Sequence, residues 1–107
     1  MINSLGEFEL LLLLAIQRCG EEAYGAALQR ELERVRRGVS LGAVYTTLLR
    51  LEAKGLVASR VGAPIPERGG RRRKYYRVLS AGTRQLERSL SAIRQMTAGL
   101  PHPLEAP

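Results

Sequence analysis

The chain has no aspartate, no tryptophan, one cysteine and one histidine among its 107 residues. Each shortage closes off a class of function. A lone cysteine, Cys19, cannot form an internal disulfide, and the chain fits a reducing cytoplasm. His102 stands in a proline-rich tail without nearby ligand partners, so no metal site is expected. There is no carboxylate pair, nucleophile–base set or phosphate-cradling glycine loop, so neither an enzyme nor a cofactor is read here. Without tryptophan, an indole sandwich for flat ligands cannot be built. Long apolar runs are also missing. The longest, Leu10 to Ile16, is far too short to span a membrane. Met1 to Glu9 lacks the basic stretch that opens a secretory signal.

What is present is the balance of a globular domain, with 45% hydrophobic and 25% charged residues. The net charge of +7 is unevenly placed. Residues 1–55 carry seven basic and seven acidic side chains, and residues 56–107 carry ten and three. That asymmetry suggests a polyanionic partner, nucleic acid or a membrane surface.

The most informative stretch is Ser40 to Leu56. Val44, Leu48 and Leu51 recur at steps of four and three, one face of a helix. Ser40 stands where an N-cap oxygen is wanted, and Gly55 where a left-handed C-terminal residue is wanted. Ala43, Thr46, Thr47 and Arg50 form the opposite face, with no acid before Glu52. Such a helix suits a DNA major groove; it also has the pattern of an ordinary amphipathic surface helix.

Around it, Leu5 to Arg18 reads as a first helix, apolar on nearly every side. It therefore needs burial on more than one side, the second supplied by another subunit. Ala23 to Arg36 reads as a second helix with the stripe Tyr24, Leu28, Leu32 and Val35. The turn Arg37-Gly38-Val39 then completes a helix-turn-helix arrangement. Leu56 to Val61 and Arg71 to Leu79 read as strands, with Tyr76 and Val78 on one face of the second. Residues 62–70 are turn chemistry, whose Pro and Gly are not expected to continue a ladder. The two strands and their basic loop make a wing. Ser80 is the expected N-cap of a last helix, from Ala81 to about Gly99. Leu86, Leu90, Ile93 and Leu100 form a short heptad seam along it. With the over-apolar first helix, which contributes Leu10 and Leu14, this seam suggests a dimer interface.

The motifs F-E-L-L-L-L-L-A-I (8–16), A-Y-G (23–25), S-L-G-A-V-Y-T-T-L-L-R-L-E-A-K-G-L-V (40–57) and G-G-R-R-R-K-Y-Y-R-V (69–78) occur in this order, followed by A-G at 81–82 and Leu86. Over about residues 5–90 the sequence resembles the PadR family of bacterial winged-helix transcription regulators. With it goes a mainly α fold with a small β-wing: a winged helix-turn-helix at 1–79 and a dimerisation helix at 80–100; Pro101, Pro103 and Pro107 mark 101–107 as a tail expected to be disordered. The resemblance implies a homodimer, a recognition helix at 40–54, a wing tip near 62–72 and repression at a promoter operator on double-stranded DNA. A small aromatic or drug-like inducer at the dimer interface is also implied, and whether one binds stays open. The family often has Thr just after the last wing strand as N-cap; here Leu79 holds that place and the cap is expected to move to Ser80. The chain resembles the short members, with one terminal helix.

The expected DNA contacts are Ser40, Gly42, Ala43, Tyr45, Thr46, Thr47 and Arg50 on the helix, and Arg68, Arg71, Arg72, Arg73 and Lys74 on the wing. Tyr45 either presents its hydroxyl to a phosphate, its ring packed under the wing, or is a half-buried core residue. Gly42 and Ala43 allow close approach to DNA or merely close helix packing. Thr46 and Thr47 suit thymine methyls or phosphates. Arg50 suits a phosphate or a guanine edge, or pairs with Glu52 or Glu33 in solvent. Alternation along the strand leaves three or four of the wing cations free to reach phosphate. Cys19 reads as a small core residue. Two other classes remain beside a DNA-binding repressor. One is an RNA- or ribosome-associated basic protein without operator specificity; the other is a winged helix used only for protein interaction. The helix-turn-helix unit and heptad disfavour the first, and the wing arginines the second.

Overall fold

The structure, a computed structural model, describes residues 5–101. Of the expected tail at 101–107, residues 102–107, with His102, lie outside the described residues. Among the described residues, four α-helices and a two-stranded antiparallel sheet follow in the order α1 (Glu7–Cys19), α2 (Gly25–Glu33), α3 (Leu41–Ala53), β1 (Val57–Pro64), β2 (Arg72–Val78) and α4 (Ser80–Thr97). The mainly α fold with a β-wing agrees with the sequence reading.

α1 crosses behind the helix-turn-helix pair. Leu12, Leu13, Ala15 and Ile16 are buried, whereas Leu10, Leu11 and Leu14 are only partly covered. Leu28 and Leu32 of α2 and Val44, Leu48 and Leu51 of α3 complete the core. Each fully buried side chain of this size contributes about 1.5–3 kcal/mol. α1 starts with a backward reach: the Gly6 amide donates to Glu9 Oε1 at 3.0 Å, satisfying a free N–H of the first turn.

α2 is shorter than its sequence pattern. It stops at Glu33, and the Val35 amide reaches only three residues back, to Leu32, at 3.1 Å. Val35 is therefore off the core stripe and 66% exposed. The tightening lets the chain turn into α3.

β1 also differs from expectation, running on through Gly62 and Ala63 to Pro64. Val57 pairs with Val78, Ser59 with Tyr76 and Val61 with Lys74, and the register then slips before Pro64 pairs with Arg72. A bulge admits a proline because the ladder there no longer needs its missing N–H. The other edge of β2 is met by a single antiparallel bridge between Tyr24 and Tyr75, and the Tyr76 amide donates to the Ala23 carbonyl at 2.9 Å.

α4 begins one residue earlier than the expected Ser80 cap. Leu79 holds the N-cap position without a side-chain bond, because its amide is fixed to the Leu56 carbonyl at 2.9 Å and its carbonyl accepts from Thr83. That register turns Leu86 inward. Assigned to a dimer seam, it is instead 3% exposed within its own chain's core. Leu90 packs partly on the core, and Ile93, Met96 and Leu100 are exposed beyond it.

Candidate nucleic-acid interface

The turn between α2 and α3 is held by two side chains of α2. Glu33 Oε1 accepts from the Val39 amide at 2.8 Å, and Gln29 Nε2 donates to the Val39 carbonyl at 2.9 Å. Val39 itself is buried. Ser40 Oγ then accepts from the Ala43 amide at 3.0 Å, an N-cap worth about 1 kcal/mol. At the far end Gly55, with φ of 74°, closes α3: its amide bonds Glu52 and the Leu56 amide bonds Leu51. This Schellman arrangement needs a left-handed residue.

With Val44, Thr47, Leu48 and Leu51 buried, α3 has one outward direction. Gly42, Thr46, Leu49 and Ala53 lie along its middle, all exposed. Ala43 and Arg50 flank them on one side and Tyr45 on the other, also exposed. A Cβ on Gly42 would meet nothing nearer than Ser40 Oγ at 4.0 Å, so close helix packing does not explain that glycine. Arg50 has no ion-pair partner among the described residues, and its two expected partners are engaged: Glu33 with Val39, and Glu52 with the Ser59 hydroxyl at 2.7 Å.

One helix residue is not where the sequence put it. Thr47 is 5% exposed and its hydroxyl donates to the Ala43 carbonyl at 2.8 Å. It faces inward and cannot reach a base. Tyr45 is 43% exposed, and its ring rests on Gly25 at the start of α2, so closely that a Cβ there would overlap the hydroxyl. The glycine of A-Y-G thus provides the seat for Tyr45.

On the wing, Tyr76 lies on the side of α3, since Ser59, opposite it, bonds Glu52, and Val78 on the same side of β2 packs against Gly82 of α4. Alternation continues this face outward as Lys74 and Arg72, both exposed. Arg71 is exposed beside them, and Arg68 ends the turn Pro66–Arg68. Arg73 belongs to the other face. Its guanidinium stacks on Tyr24 at 4.0 Å from the ring centroid, and its Nε is buried. Tyr24 meets Tyr75 edge-on at 5.8 Å, Arg60 covers Tyr75 at 4.6 Å, and Arg30 reaches the Tyr24 hydroxyl at 3.2 Å. These contacts join the wing to the base of α2. Of the wing cations whose side chains are described, Arg71, Arg72 and Lys74 project outward and Arg73 folds back.

The sequence reading missed a partly buried ion pair behind this surface. Glu9 Oε2 meets Lys54 Nζ at 2.8 Å, tying α1 to the end of α3. Burial alone would raise the Glu9 pKa; the Lys54 ammonium and the Gly6 amide outweigh it and hold the carboxyl below its usual range. The one signal was an acid within an otherwise apolar run, three residues after a glycine. Cys19 is partly buried, and burial followed by the nearby Glu31 pushes its thiol up, away from thiolate chemistry.

A helix-turn-helix followed by a two-stranded wing defines the winged helix-turn-helix class. Comparison with known proteins narrows this. The sequence profile described as "Transcriptional regulator PadR-like family" matches residues 12–88. Transcriptional regulator Rv3488 of Mycobacterium tuberculosis is 39% identical over 75 residues, which span 70% of this chain and 66% of that protein, slightly under two thirds of its length. The crystal structure of a PadR-like transcriptional regulator from Bacillus cereus superposes with a TM-score of 0.73 at 28% identity, covering 94% of this chain and 93% of that one. A PadR family regulator from Eggerthella lenta gives 0.67 at 29% identity, covering 94% and 88%. The chain belongs to the PadR-like family of transcriptional regulators, a DNA-binding class. No described helix is long and apolar enough to cross a membrane.

Proposed function

We propose that the chain acts as a homodimer that binds an operator in double-stranded DNA and represses the adjoining promoter. One observation carries the DNA reading: the outward side of α3 is exposed, capped at both ends and free of acid, and exposed wing cations continue the sheet face that meets it. In this reading α3 enters the major groove. Ser40, Gly42 and Ala43 bring its first turn close to the backbone, Thr46 meets base edges, and Tyr45 and Arg50 meet the flanking phosphates. Arg71, Arg72 and Lys74 follow the neighbouring strand, with Arg68 at the tip. The winged domain spans 1–79 and the dimerisation helix 80–100.

Dimerisation is supported by apolar surface that one chain leaves open. Ile93, Met96 and Leu100 are exposed on α4. Leu11, Leu14 and Val35 line an open recess of about 210 Å³ between α1 and α2, and Leu10 is only partly covered beside it. A two-fold assembly would place two recognition helices on successive turns of one DNA face, giving a pseudo-palindromic site.

The test is enrichment of duplexes from a random pool by the full chain, followed by footprinting. A paired, roughly symmetric footprint supports the reading. Binding that depends only on duplex length, or equally tight binding to RNA, would remove it in favour of a non-specific basic protein.

A further inference from the structure

We infer that Leu49 is a specificity-determining residue that reads the C5-methyl group of a thymine, so that the operator half-site carries an A·T pair opposite the middle of α3. This deepens the proposed reading of α3 and rests on it.

Scattered exposed leucines are ordinary on protein surfaces. Leu49 differs in where it stands. It is 64% exposed and lies midway along the outward side of α3, next to Thr46 one turn earlier. It is the largest side chain on the central line Gly42, Thr46, Leu49 and Ala53, whose members offer methyl and methylene groups and a single hydroxyl. No arginine, asparagine or glutamine stands on that line, so the bidentate pairs that read guanine or adenine cannot form at its centre. The apolar feature of the major groove is the thymine methyl, and an aliphatic side chain at the centre is matched to it. The occupant is DNA rather than an apolar protein face because of the charge around Leu49. Arg50 flanks it on α3, and Arg72 and Lys74 extend the sheet face that meets the helix.

The experiment uses the full chain and its enriched duplex, with deoxyuridine replacing thymine one position at a time. This removes only the methyl and keeps base pairing. For the wild type, one thymine per half-site should be sensitive, with about a fourfold loss for each methyl withdrawn from apolar contact. Leu49→Ala should lose a similar amount on the unmodified duplex and show no further loss on the deoxyuridine duplex. Leu49→Met, which keeps an aliphatic side chain, should restore the sensitivity. Folding is monitored by circular dichroism, and the exposure of Leu49 predicts unchanged melting. Equal deoxyuridine sensitivity in wild type and Leu49→Ala overturns the assignment while leaving α3 in the groove. So does a Leu49→Ala protein that binds normally. A shift in sedimentation with unchanged DNA affinity makes Leu49 a protein contact instead. Failure of the full chain to enrich any duplex overturns the DNA reading itself, and this one with it.

Discussion

Glu9 shows how one side chain can serve two ends of the fold. It satisfies the Gly6 amide and neutralises Lys54 from a nearly buried position. Its folded-state pKa is lowered, so its stabilisation is complete above the usual carboxylate value of 4.5 and is lost as pH falls through the folded-state value. Glu9→Gln should therefore cost about 1–3 kcal/mol at neutral pH. The gap to wild type should narrow in acid, where the wild-type carboxyl is itself protonated. Urea unfolding at neutral and acidic pH checks both statements. Arg73 makes a contrasting case. Its stack on Tyr24 predicts that Arg73→Gln leaves the salt dependence of DNA binding unchanged and lowers stability by about 0.5–2 kcal/mol. A salt titration beside a thermal melt separates it from Lys74→Gln, which should reduce the slope by about 2 across a dimer. Nothing in the run Arg71 to Lys74 distinguishes these roles by residue type. The difference arises from strand alternation combined with the Tyr24 bridge, a contact 51 positions away in sequence.

At the scale of elements, α3 was the most legible part of the chain because its ends are written in local chemistry. Ser40 caps it and Gly55 closes it, as the sequence indicated. Gly55→Ala forces a Cβ into left-handed backbone and should cost about 1–2 kcal/mol in chemical unfolding. Gly25→Ala should do more than destabilise, because the added methyl must push Tyr45 out of its seat. A loss of about 1–3 kcal/mol is expected, with weaker DNA binding if the tyrosine contacts phosphate. What local pattern could not reveal depended on tertiary geometry. Thr47 lies at the edge of the buried stripe, beside Val44 and Leu51, and turned inward because the helix face is wider than the three-residue stripe that suggested it. β1 ran past Gly62 because a bulge, invisible in composition, excused the proline. The α4 cap stayed at Leu79 because a bond to Leu56 outweighed the preference for a hydroxyl.

For the molecule as a whole, the apolar repeat along α4 divides in two. Leu86 belongs to the chain's own core, whereas Ile93, Met96 and Leu100 are uncovered. Leu86→Ala should therefore cost about 2–5 kcal/mol of stability. Ile93→Glu with Met96→Glu should leave the fold intact and shift sedimentation from dimer to monomer. A wild-type chain that sediments as a well-behaved monomer at micromolar concentration would remove the dimer altogether. The charge imbalance between the two halves of the sequence gathers on the wing and α4, and the wing share makes a quantitative prediction. Replacing Arg71, Arg72 and Lys74 with Gln removes about six phosphate contacts from a dimer and should lower the slope of log affinity against log salt by about 5. Specificity should change little, since counterion release is blind to sequence. The central claim is that α3 supplies the sequence reading and the wing the sequence-independent attraction. It is tested most directly by the ratio of affinities for an enriched and a scrambled duplex at one salt concentration, measured for wild type, Thr46→Ala and the triple wing variant. The account predicts that Thr46→Ala lowers this ratio, by about 1 kcal/mol per contact, while the wing variant weakens both duplexes alike. A ratio unchanged by Thr46→Ala, or abolished by the wing variant, would contradict it.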